Sequence, residues 1–276
     1  MNNKPNIGIL GCGWLGLPLG KYLFNKGYQI YGTTTTNDKL EVLRNNNIIP
    51  DVLKLGKGGP MGNTAMFNDC EILIINIPPL RSSPDVIYYE EKIASYLIRI
   101  DQSKVKHILF VSSTSVYGQE QKALNENDRP KPITESGKQL LKVEDLLVNH
   151  FKWQNTIIRF GGLIGYDRMP GRFLSKKKGL KKGGSPVNLI HQDDCIEAIY
   201  QIIKQDKWGY TYNICSPEHP SKIDFYTKAA QSINAAVPEF EDLDDSGKSI
   251  SSELLIEDLH FKFKYKNPID CIFLTM

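Results

Sequence analysis

Five short segments rich in Ile, Val and Leu recur along the first 160 residues, and most of the stretches between them are long enough to hold a helix. They are residues 6–10, 28–32, 72–77, 105–111 and 156–160. Their apolar runs are continuous rather than alternating with polar residues, which is typical of strands buried on both faces. The pattern predicts an α/β fold with a doubly wound parallel sheet.

Helical spacing of apolar residues appears in residues 86–100 and 138–151. In the second segment, Leu140, Leu141, Val143 and Leu147 form one apolar stripe. A third helix is predicted from Asp194 to Lys204. Helices between buried strands are the covering layers that a parallel sheet requires.

The first strand runs directly into a glycine-rich loop and then into an apparent helix that ends at Lys26-Gly27. The loop is Gly11-Cys12-Gly13-Trp14-Leu15-Gly16. A G-x-G-x-x-G pattern between strand and helix is the signature of a dinucleotide site in a Rossmann-like fold, where the helix N–H groups receive a pyrophosphate. We therefore predict that all six residues contribute to a cofactor site, the alternative being a glycine turn without a ligand.

The second strand ends without a carboxylate, since no Asp or Glu occurs between Leu17 and Asn37. In NAD-binding proteins an acidic residue there bonds the ribose hydroxyls and repels a 2′-phosphate. Here Thr34, Thr35 and Lys39 offer hydroxyl groups and a positive charge instead. This composition predicts that NADP is preferred over NAD.

Asp38 leaves the NAD alternative open, because its carboxylate follows the second strand closely. With Glu41 three residues later, it is better explained as the N-cap of a capping box for a helix over residues 39–45. Further along, the segment Asn76-Ile77-Pro78 follows another buried strand. We expect it to pass near the nicotinamide ribose, with the proline stiffening the turn.

The chain changes character after Gly165, where a stretch rich in Gly, Lys and Pro leads into a more polar C-terminal third. We predict an NAD(P)-binding Rossmann domain over 1–165, to which 187–215 returns. Residues 166–186 and 216–276 are expected to form a small C-terminal substrate lobe.

Composition narrows the class of protein further. The 34 Lys and Arg residues nearly balance 31 Asp and Glu, and this near-neutral charge argues against a nucleic-acid partner. The apolar runs are all shorter than a membrane span needs, and the five cysteines form no paired motif. The expectation is a cytoplasmic protein, monomer or homodimer, with reduced thiols, no membrane contact and a small-molecule substrate.

Four later motifs resemble the extended short-chain dehydrogenase/reductase superfamily, which contains nucleotide-sugar epimerases and dehydratases. They are Ser112-Ser113-Thr114-Ser115-Val116-Tyr117-Gly118, the strand end Arg159 to Gly165, the segment Asn188 to Asp194, and Gly209 to Ile214. The matching motifs extend over nearly the whole chain, but they are short and widely separated. The resemblance implies a nicotinamide cofactor, and it implies that Ser113 orients a substrate hydroxyl.

The same resemblance exposes two departures. In the family, a Tyr and a Lys four residues later carry the proton transfer, and a Glu lies eight residues after the Tyr. Anchoring on Glu144 puts Ser136 and Leu140 at those positions, so the acid/base pair is missing. The family's glycine loop also has the pattern G-x-x-G-x-x-G, whereas this chain has Leu10 where the first of those glycines would stand. The chain thus resembles the atypical branch, which keeps the fold and lacks the active-site Tyr.

Four residues are candidates for the missing acid/base, of which we retain Tyr117 with Ser113 as the catalytic prediction. The other three are Lys138, Tyr166 and His191. Lys138 lies two residues from the position of the family's Lys, so it falls on a different face of the helix. The His191 segment resembles a metal-binding cluster but lacks a third ligand group, and Asp194 with Glu197 is better explained as a capping box. No metal site is therefore predicted.

The basic residues 176–182 fall in the loop that leads toward the substrate in the resembling enzymes. They favour an anionic substrate, although a solvated lysine loop explains them equally well. The leading hypothesis is an NAD(P)-dependent oxidoreductase or epimerase acting on a polar, nucleotide-linked sugar.

Two other hypotheses stay open. One is a regulator that binds NADP(H) without turnover. The other is a nucleotide-sugar dehydrogenase of another Rossmann type, because residues 11–19 resemble the first residues of that class. The length of the chain argues against this hypothesis.

Overall fold

A computed structural model describes residues 4–79, 83–119, 123–150 and 153–275. In these ranges the strands follow one another in the order β1 Ile7–Leu10, β2 Ile30–Thr34, β3 Ile49–Gly56, β4 Gly59–Gly62, β5 Ile72–Ile75, β6 His107–Ser113, β7 Ala123–Leu124, β8 Gln154–Phe160, β9 Gly162–Ile164, β10 Leu189–His191, β11 Thr211–Ile214 and β12 Ser249–Ile250. The helices are α1 Gly16–Asn25, α2 Leu40–Arg44, α3 Tyr89–Ile100, α4 Glu135–His150, α5 Gln192–Lys204, α6 Lys222–Ser232 and α7 Glu253–Leu259.

The main sheet of the described chain has eight strands in the order β11-β8-β6-β5-β1-β2-β3-β4. Strand β1 pairs in parallel with β2 and β5, which lie on either side of it, and β4 is antiparallel to β3. The chain thus moves outward from β1 through β2 and β3, and then returns to the other side of β1. In doubly wound sheets, ligands bind beyond the carboxyl ends of the strands at this reversal point.

Burial explains why the apolar runs form the central strands. Ile7, Ile9 and Leu10 of β1 are completely buried, and the four residues of β5 are buried as well. Helix α3 buries one stripe that includes Ile93 and Tyr96. The prediction of an α/β fold with a Rossmann-like parallel sheet is confirmed.

The predicted helix over residues 138–151 corresponds to α4, which begins three residues earlier. The predicted segment 86–100 is α3, preceded by a 3₁₀ turn at Pro84–Tyr88. Gly27, with a φ of +88°, follows the last residues of α1, as expected of a C-terminal cap.

Both predicted capping boxes are wrong. Asp38 lies inside a 3₁₀ turn, Asn37–Lys39, and a hydrogen bond from the Thr36 hydroxyl lowers its pKa. Glu41 instead pairs with Arg44 at 3.3 Å. Helix α5 begins two residues before Asp194, whose buried carboxylate accepts hydrogen bonds from the backbone. Neither acidic residue therefore stands at the N-cap: Asp38 lies in the turn that precedes α2, and Asp194 lies within the first turn of α5.

The chain divides into two compact units. Unit 1 contains Met1–Val116, Pro132–Ile158 and Ile202–Thr211, and unit 2 contains Tyr117–Lys131, Arg159–Gln201 and Tyr212–Met276. The assignment of a dinucleotide-binding domain and a substrate lobe stays a prediction, because compactness assigns no ligand to either unit.

Two observations bear on the class of protein. Within the described ranges, none of the helices combines the length and apolarity needed to cross a membrane. All five cysteines are buried and free.

Candidate functional site: a cavity at the glycine loop

The glycine loop turns so tightly beside the carboxyl end of β5 that two of its residues must lack a side chain. Gly11 has a φ of +106°, and a Cβ there would lie 2.7 Å from the carbonyl oxygen of Asn76. A Cβ on Gly16 would lie 2.2 Å from the carbonyl oxygen of Gly11. The loop therefore turns sharply beside β5 before α1 begins.

Side chains from the strands on either side of β1 hold this loop in place. The Gly11 N–H donates to Oγ1 of Thr33 at 3.0 Å, and the Cys12 N–H donates to the Thr33 carbonyl at 2.8 Å. On the other side, Nδ2 of Asn76 donates to the Gly11 carbonyl at 3.0 Å. The two strands thus fix the backbone of the loop from opposite directions.

A cavity of about 450 Å³ opens in front of the loop, at the point where the strand order reverses. Its lining is formed by the glycine loop, the ends of β2, β3 and β5, and the start of α3. These residues are Gly11, Cys12, Gly13, Thr33, Thr34, Thr35, Lys39, Leu53, Lys54, Leu55, Asn76, Ile77, Pro78, Asp85, Val86, Tyr89, Lys92 and Ile93. The volume falls in the range of small-molecule and cofactor sites.

Gly13 differs from its neighbours because it faces open space. A Cβ built on it meets no atom within 4 Å, and the residue is exposed at the cavity. Here the absence of a side chain preserves room for a ligand rather than relieving a contact inside the protein. This is the feature expected of the glycine that a pyrophosphate approaches.

Nine of the twelve predicted cofactor residues line the cavity. They are Gly11, Cys12, Gly13, Thr34, Thr35, Lys39, Asn76, Ile77 and Pro78. Trp14, Leu15 and Gly16 are absent from the lining. Leu15 is a core residue, and Gly16 serves the close approach described above.

Cys12 lines the cavity but has no reactive thiol. Burial raises its pKa to about 12, although a backbone hydrogen bond opposes the shift. A Cβ on Gly32 would lie 2.4 Å from its Sγ, so the sulfur fills the space that this glycine leaves open. We assign Cys12 to packing, because the thiolate is the nucleophilic form of cysteine.

The charge of the cavity is mainly positive. Lys39, Lys54 and Lys92 line it, whereas Asp85 is the one carboxylate among its described lining residues. Lys92 is only 15% exposed in its side chain, and its Nζ lies 4.0 Å from Asp85. Asp38, which kept the NAD alternative open, is absent from the lining.

Ser113 lies at the end of β6 in unit 1. Its hydroxyl accepts a hydrogen bond from the Ser115 N–H at 3.2 Å. The preceding Ser112 hydroxyl donates to the buried Glu144 carboxylate of α4 at 2.5 Å. This bond ties α4 to the end of the strand that carries Ser113.

Ser136 and Leu140 occupy one face of α4, one helical turn apart, and both are buried. The Ser136 hydroxyl lies 3.3 Å from that of Thr134. Neither side chain supplies a phenol or an ammonium group at this face. Lys138 is exposed and lies 4.0 Å from Glu135.

Tyr117 belongs to unit 2 and is almost fully buried. Nη1 of Arg159 donates to its hydroxyl at 2.8 Å, and the hydroxyl lies 3.0 Å from both Oδ1 of Asn213 and the carbonyl of Asn125. Burial raises the pKa of Tyr117, although Arg159 opposes the shift. This environment favours a packing role, and the catalytic role of Tyr117 stays a prediction.

The two remaining candidates also lie in unit 2, around Asp193. The hydroxyl of Tyr166 donates to Oδ2 of Asp193 at 3.0 Å, and Nζ of Lys264 donates to the same oxygen at 2.7 Å. His191 is buried, and burial lowers its pKa. Its Nδ1 accepts from the Asp193 N–H, so the neutral ring carries its proton on Nε2. No cluster of three metal-ligating side chains occurs in the described ranges.

The lysine-rich segment 176–182 lies beside an acidic segment of unit 2, residues 239–245. Lys178 Nζ pairs with Glu239 at 2.8 Å, and the Lys182 N–H donates to Asp242 at 2.7 Å. The backbones also meet, since the Leu180 N–H donates to the Glu239 carbonyl. At least part of the positive charge of this loop is thus balanced by carboxylates of the acidic segment.

Comparison with solved structures identifies the class to which this fold belongs. UDP-glucuronic acid 4-epimerase from Bacillus cereus, solved with UDP-glucuronic acid and NAD, shares the fold with a TM-score of 0.77 at 18% identity, over 98% of each chain. A conserved protein of unknown function from Silicibacter pomeroyi DSS gives 0.78 at 19% identity, over 99% of this chain and 98% of that one. The fold is that of the NAD-dependent epimerases.

A sequence relative defines the family more narrowly. Protein YeeZ of Escherichia coli (strain K12) is 34% identical over 267 residues, which make up 95% of this chain and 97% of YeeZ. The chain belongs to the YeeZ family. No protein-family model matches the sequence.

Proposed function

We propose that this protein binds NADP(H) in the cavity at its glycine loop. The observation that carries the proposal is the open face of Gly13 beside a 450 Å³ cavity at the reversal point of the sheet. The pyrophosphate would lie against Gly13 and the start of α1, where unpaired N–H groups favour an anion. The adenosine would lie toward β2 and β3, as in other doubly wound dinucleotide sites.

The preference for NADP over NAD is part of the proposal. Thr34, Thr35 and Lys39 line the cavity at the end of β2, where an NAD site would have a carboxylate. Thr33 is already used by the loop, because its hydroxyl accepts from Gly11. Two threonine hydroxyls and one ammonium group are therefore available for a 2′-phosphate.

Titration of the purified chain with NADPH and with NADH, followed by cofactor fluorescence, tests both parts. We expect the Kd for NADPH to be about tenfold lower, since a charge-assisted phosphate contact contributes about 1.5–3 kcal/mol. Equal or tighter binding of NADH would remove the preference. Binding of neither would refute the dinucleotide site.

For the reaction, we propose an oxidoreductase or epimerase that acts on a polar, nucleotide-linked substrate. The nicotinamide would supply hydride chemistry, as it does in cofactor enzymes generally. Ser113 would orient the reacting hydroxyl or carbonyl from the end of β6. The B. cereus epimerase of the same fold was solved with a nucleotide sugar, which supports this substrate class.

A second candidate function is a regulator that binds NADP(H) without turnover. It is favoured by Ser136 and Leu140, which we propose to stand where enzymes of this fold place their Tyr and Lys. Positioned acid/base catalysis contributes on the order of 10²–10⁴-fold, and neither side chain can provide it. Ser113 alone orients a group without exchanging its proton efficiently.

A panel of UDP- and dTDP-sugars distinguishes the two functions. Turnover would be followed by the absorbance of the nicotinamide and by chromatography of products. A regulator would give no turnover above background, whereas the proposed enzyme, without a positioned Tyr and Lys, should turn over more slowly than about one per second, the lower end for working enzymes. Faster turnover would establish the enzyme and show that another residue supplies the acid/base group, with Tyr117 and Tyr166 the first to mutate.

A further inference from the structure

The cavity has two walls that come from distant parts of unit 1. Leu53, Lys54 and Leu55 of β3 form one of these walls, and Val86 and Tyr89, from the segment that leads into α3, form the second. The proposed nucleotide would lie beside both walls, so their separation would be one route for its release. Any contact that joins the walls beside the ligand therefore bears on its release.

The β3 wall continues into a tight hairpin whose tip has one long side chain. Gly56 pairs with Gly59 in the antiparallel register, so Lys57 and Gly58 form the turn between β3 and β4. A Cβ on Gly58 would meet no atom within 4 Å. Because Lys57 follows Leu55 by two residues, its Cα lies within about 7 Å of that wall residue.

Lys57 reaches across to the other wall. Its Nζ donates to the Tyr88 hydroxyl at 3.1 Å and lies 4.2 Å from the centre of the Tyr88 ring. One cation thus makes both a hydrogen bond and a cation–π contact with the same side chain.

Tyr88, the partner of Lys57, belongs to a segment that is itself held in place by a hydrogen bond. Tyr88 ends the 3₁₀ turn Pro84–Tyr88, and the next residue, Tyr89, is buried with its hydroxyl donating to the Ile77 carbonyl at 2.5 Å. Burial raises the pKa of Tyr89, so this donor keeps its proton. The hairpin tip is therefore fastened to a wall that is itself bonded to the segment after β5.

We propose that Lys57 and Tyr88 are positioning residues that hold the β3–β4 hairpin closed beside a bound nucleotide and so slow its release. This inference rests on the proposed nucleotide site. The contact must break before the two walls can separate, which adds to the barrier for dissociation. Association needs no such step if the ligand enters while the hairpin is open.

Stopped-flow displacement of NADPH measures the predicted effect. Removing the cation with Lys57→Met, or the ring with Tyr88→Leu, should raise the dissociation rate about two- to fivefold, the range expected of an exposed cation–π contact. The association rate should change by less. Tyr88→Phe keeps the ring and should give an intermediate rate.

Rescue separates this role from a general loosening of the fold. Lys57→Arg keeps the charge, the donors and the ability to stack on an aromatic ring, and should restore a dissociation rate near that of the parent. Tyr210→Leu is the matched control, because Lys207 lies 6.0 Å from the centre of the Tyr210 ring and neither residue lines the cavity. Its dissociation rate should equal the parental one.

Two results would overturn the inference, and they are distinguishable. If the parent binds NADPH but Lys57→Met and Tyr88→Leu release it at the parental rate, the hairpin contact has no part in retention and the proposed site stands. If the parent binds neither NADPH nor NADH, the proposed site fails and the retention role fails with it.

Discussion

Two lysine-rich regions of this protein differ in what lies opposite their charges. At the cavity in unit 1, three lysines face a space whose one described carboxylate, Asp85, is 59% exposed in its side chain. In unit 2, the lysines of residues 176–182 lie beside the acidic residues 239–245. A run of lysines beside an acidic segment is therefore weak evidence for an anion site, whereas lysines from three elements around one cavity support the site proposed here.

The largest expected effect follows from blocking the cavity at its glycine loop. Gly13→Val places a branched side chain where Gly13 now faces open space, and we expect NADPH affinity to fall by about 100-fold or more. The fold should be retained, because nothing in the protein occupies that space. Titration measures the affinity, and circular dichroism checks the fold.

Gly13→Ala provides the graded control, since its smaller side chain should weaken binding less than Val. A folded Gly13→Val variant with parental affinity would show that the ligand does not approach this loop. The lysines that line the cavity would then be no better evidence for anion binding than those of residues 176–182.

A charge reversal in each region tests the comparison directly. Lys39→Glu puts a carboxylate near the proposed 2′-phosphate, and we expect a 10- to 30-fold loss of NADPH affinity, corresponding to about 1.4–2 kcal/mol. NADH has no 2′-phosphate and should lose much less. Lys181→Glu makes the same change in unit 2 and should leave both affinities within about twofold of the parent.

Salt provides a second measurement on the same variants. The NADPH affinity of the parent should fall as ionic strength rises, and that of Lys39→Glu should fall less, because screening weakens a favourable charge contact. Equal losses of NADPH affinity in Lys39→Glu and Lys181→Glu would contradict the comparison.

The fold was predictable because its signals are local. Continuous apolar runs indicate buried strands, and the stripe in α3 requires only the spacing of Ile93, Tyr96 and their neighbours. The first residues of the helices were harder to predict from the sequence. Asp38 and Asp194 both have the spacing of a cap, yet their helices begin elsewhere because 3₁₀ turns and tertiary bonds compete with a capping box.

The candidate site was predictable at its glycine loop and in the segments that follow β2 and β5, but not on β3 and α3. The sequence predicts Thr34 and Thr35 in the site but not the role of Thr33, which depends on which strand residue faces Gly11. Lys54 and Lys92 reach the cavity from β3 and α3, and no local pattern connects them to the loop. The charge of the acidic segment likewise acts on residues some 60 positions away in the chain.

A smaller effect is expected from loosening the loop without blocking it. Thr33→Val keeps the shape of the side chain but removes the oxygen that accepts from the Gly11 N–H. Losing one such bond costs about 0.5–1.5 kcal/mol, so we expect a two- to tenfold weaker affinity for NADPH. Thr33→Ser keeps the acceptor and should restore most of it.

This variant sharpens the comparison, because Thr33 carries no charge and acts only through the loop. Its effect on NADPH and NADH should be equal, in contrast to that of Lys39→Glu. A selective loss of NADPH affinity in Thr33→Val would mean that Thr33 contacts the 2′-phosphate itself, and that the threonine roles assigned here are wrong.

The smallest effect is expected where lysine meets carboxylate in unit 2. Lys178 and Glu239 are exposed, and ion pairs of this kind contribute little because solvent screens them. Lys178→Met, Glu239→Gln and the double variant should each shift Tm by less than about 2 °C, with NADPH affinity within about twofold of the parent. Thermal unfolding and the same titration measure both. A loss of affinity in Lys178→Met that Glu239→Gln does not share would mean that this lysine serves the ligand rather than its acidic neighbour, and the two regions would no longer differ in kind.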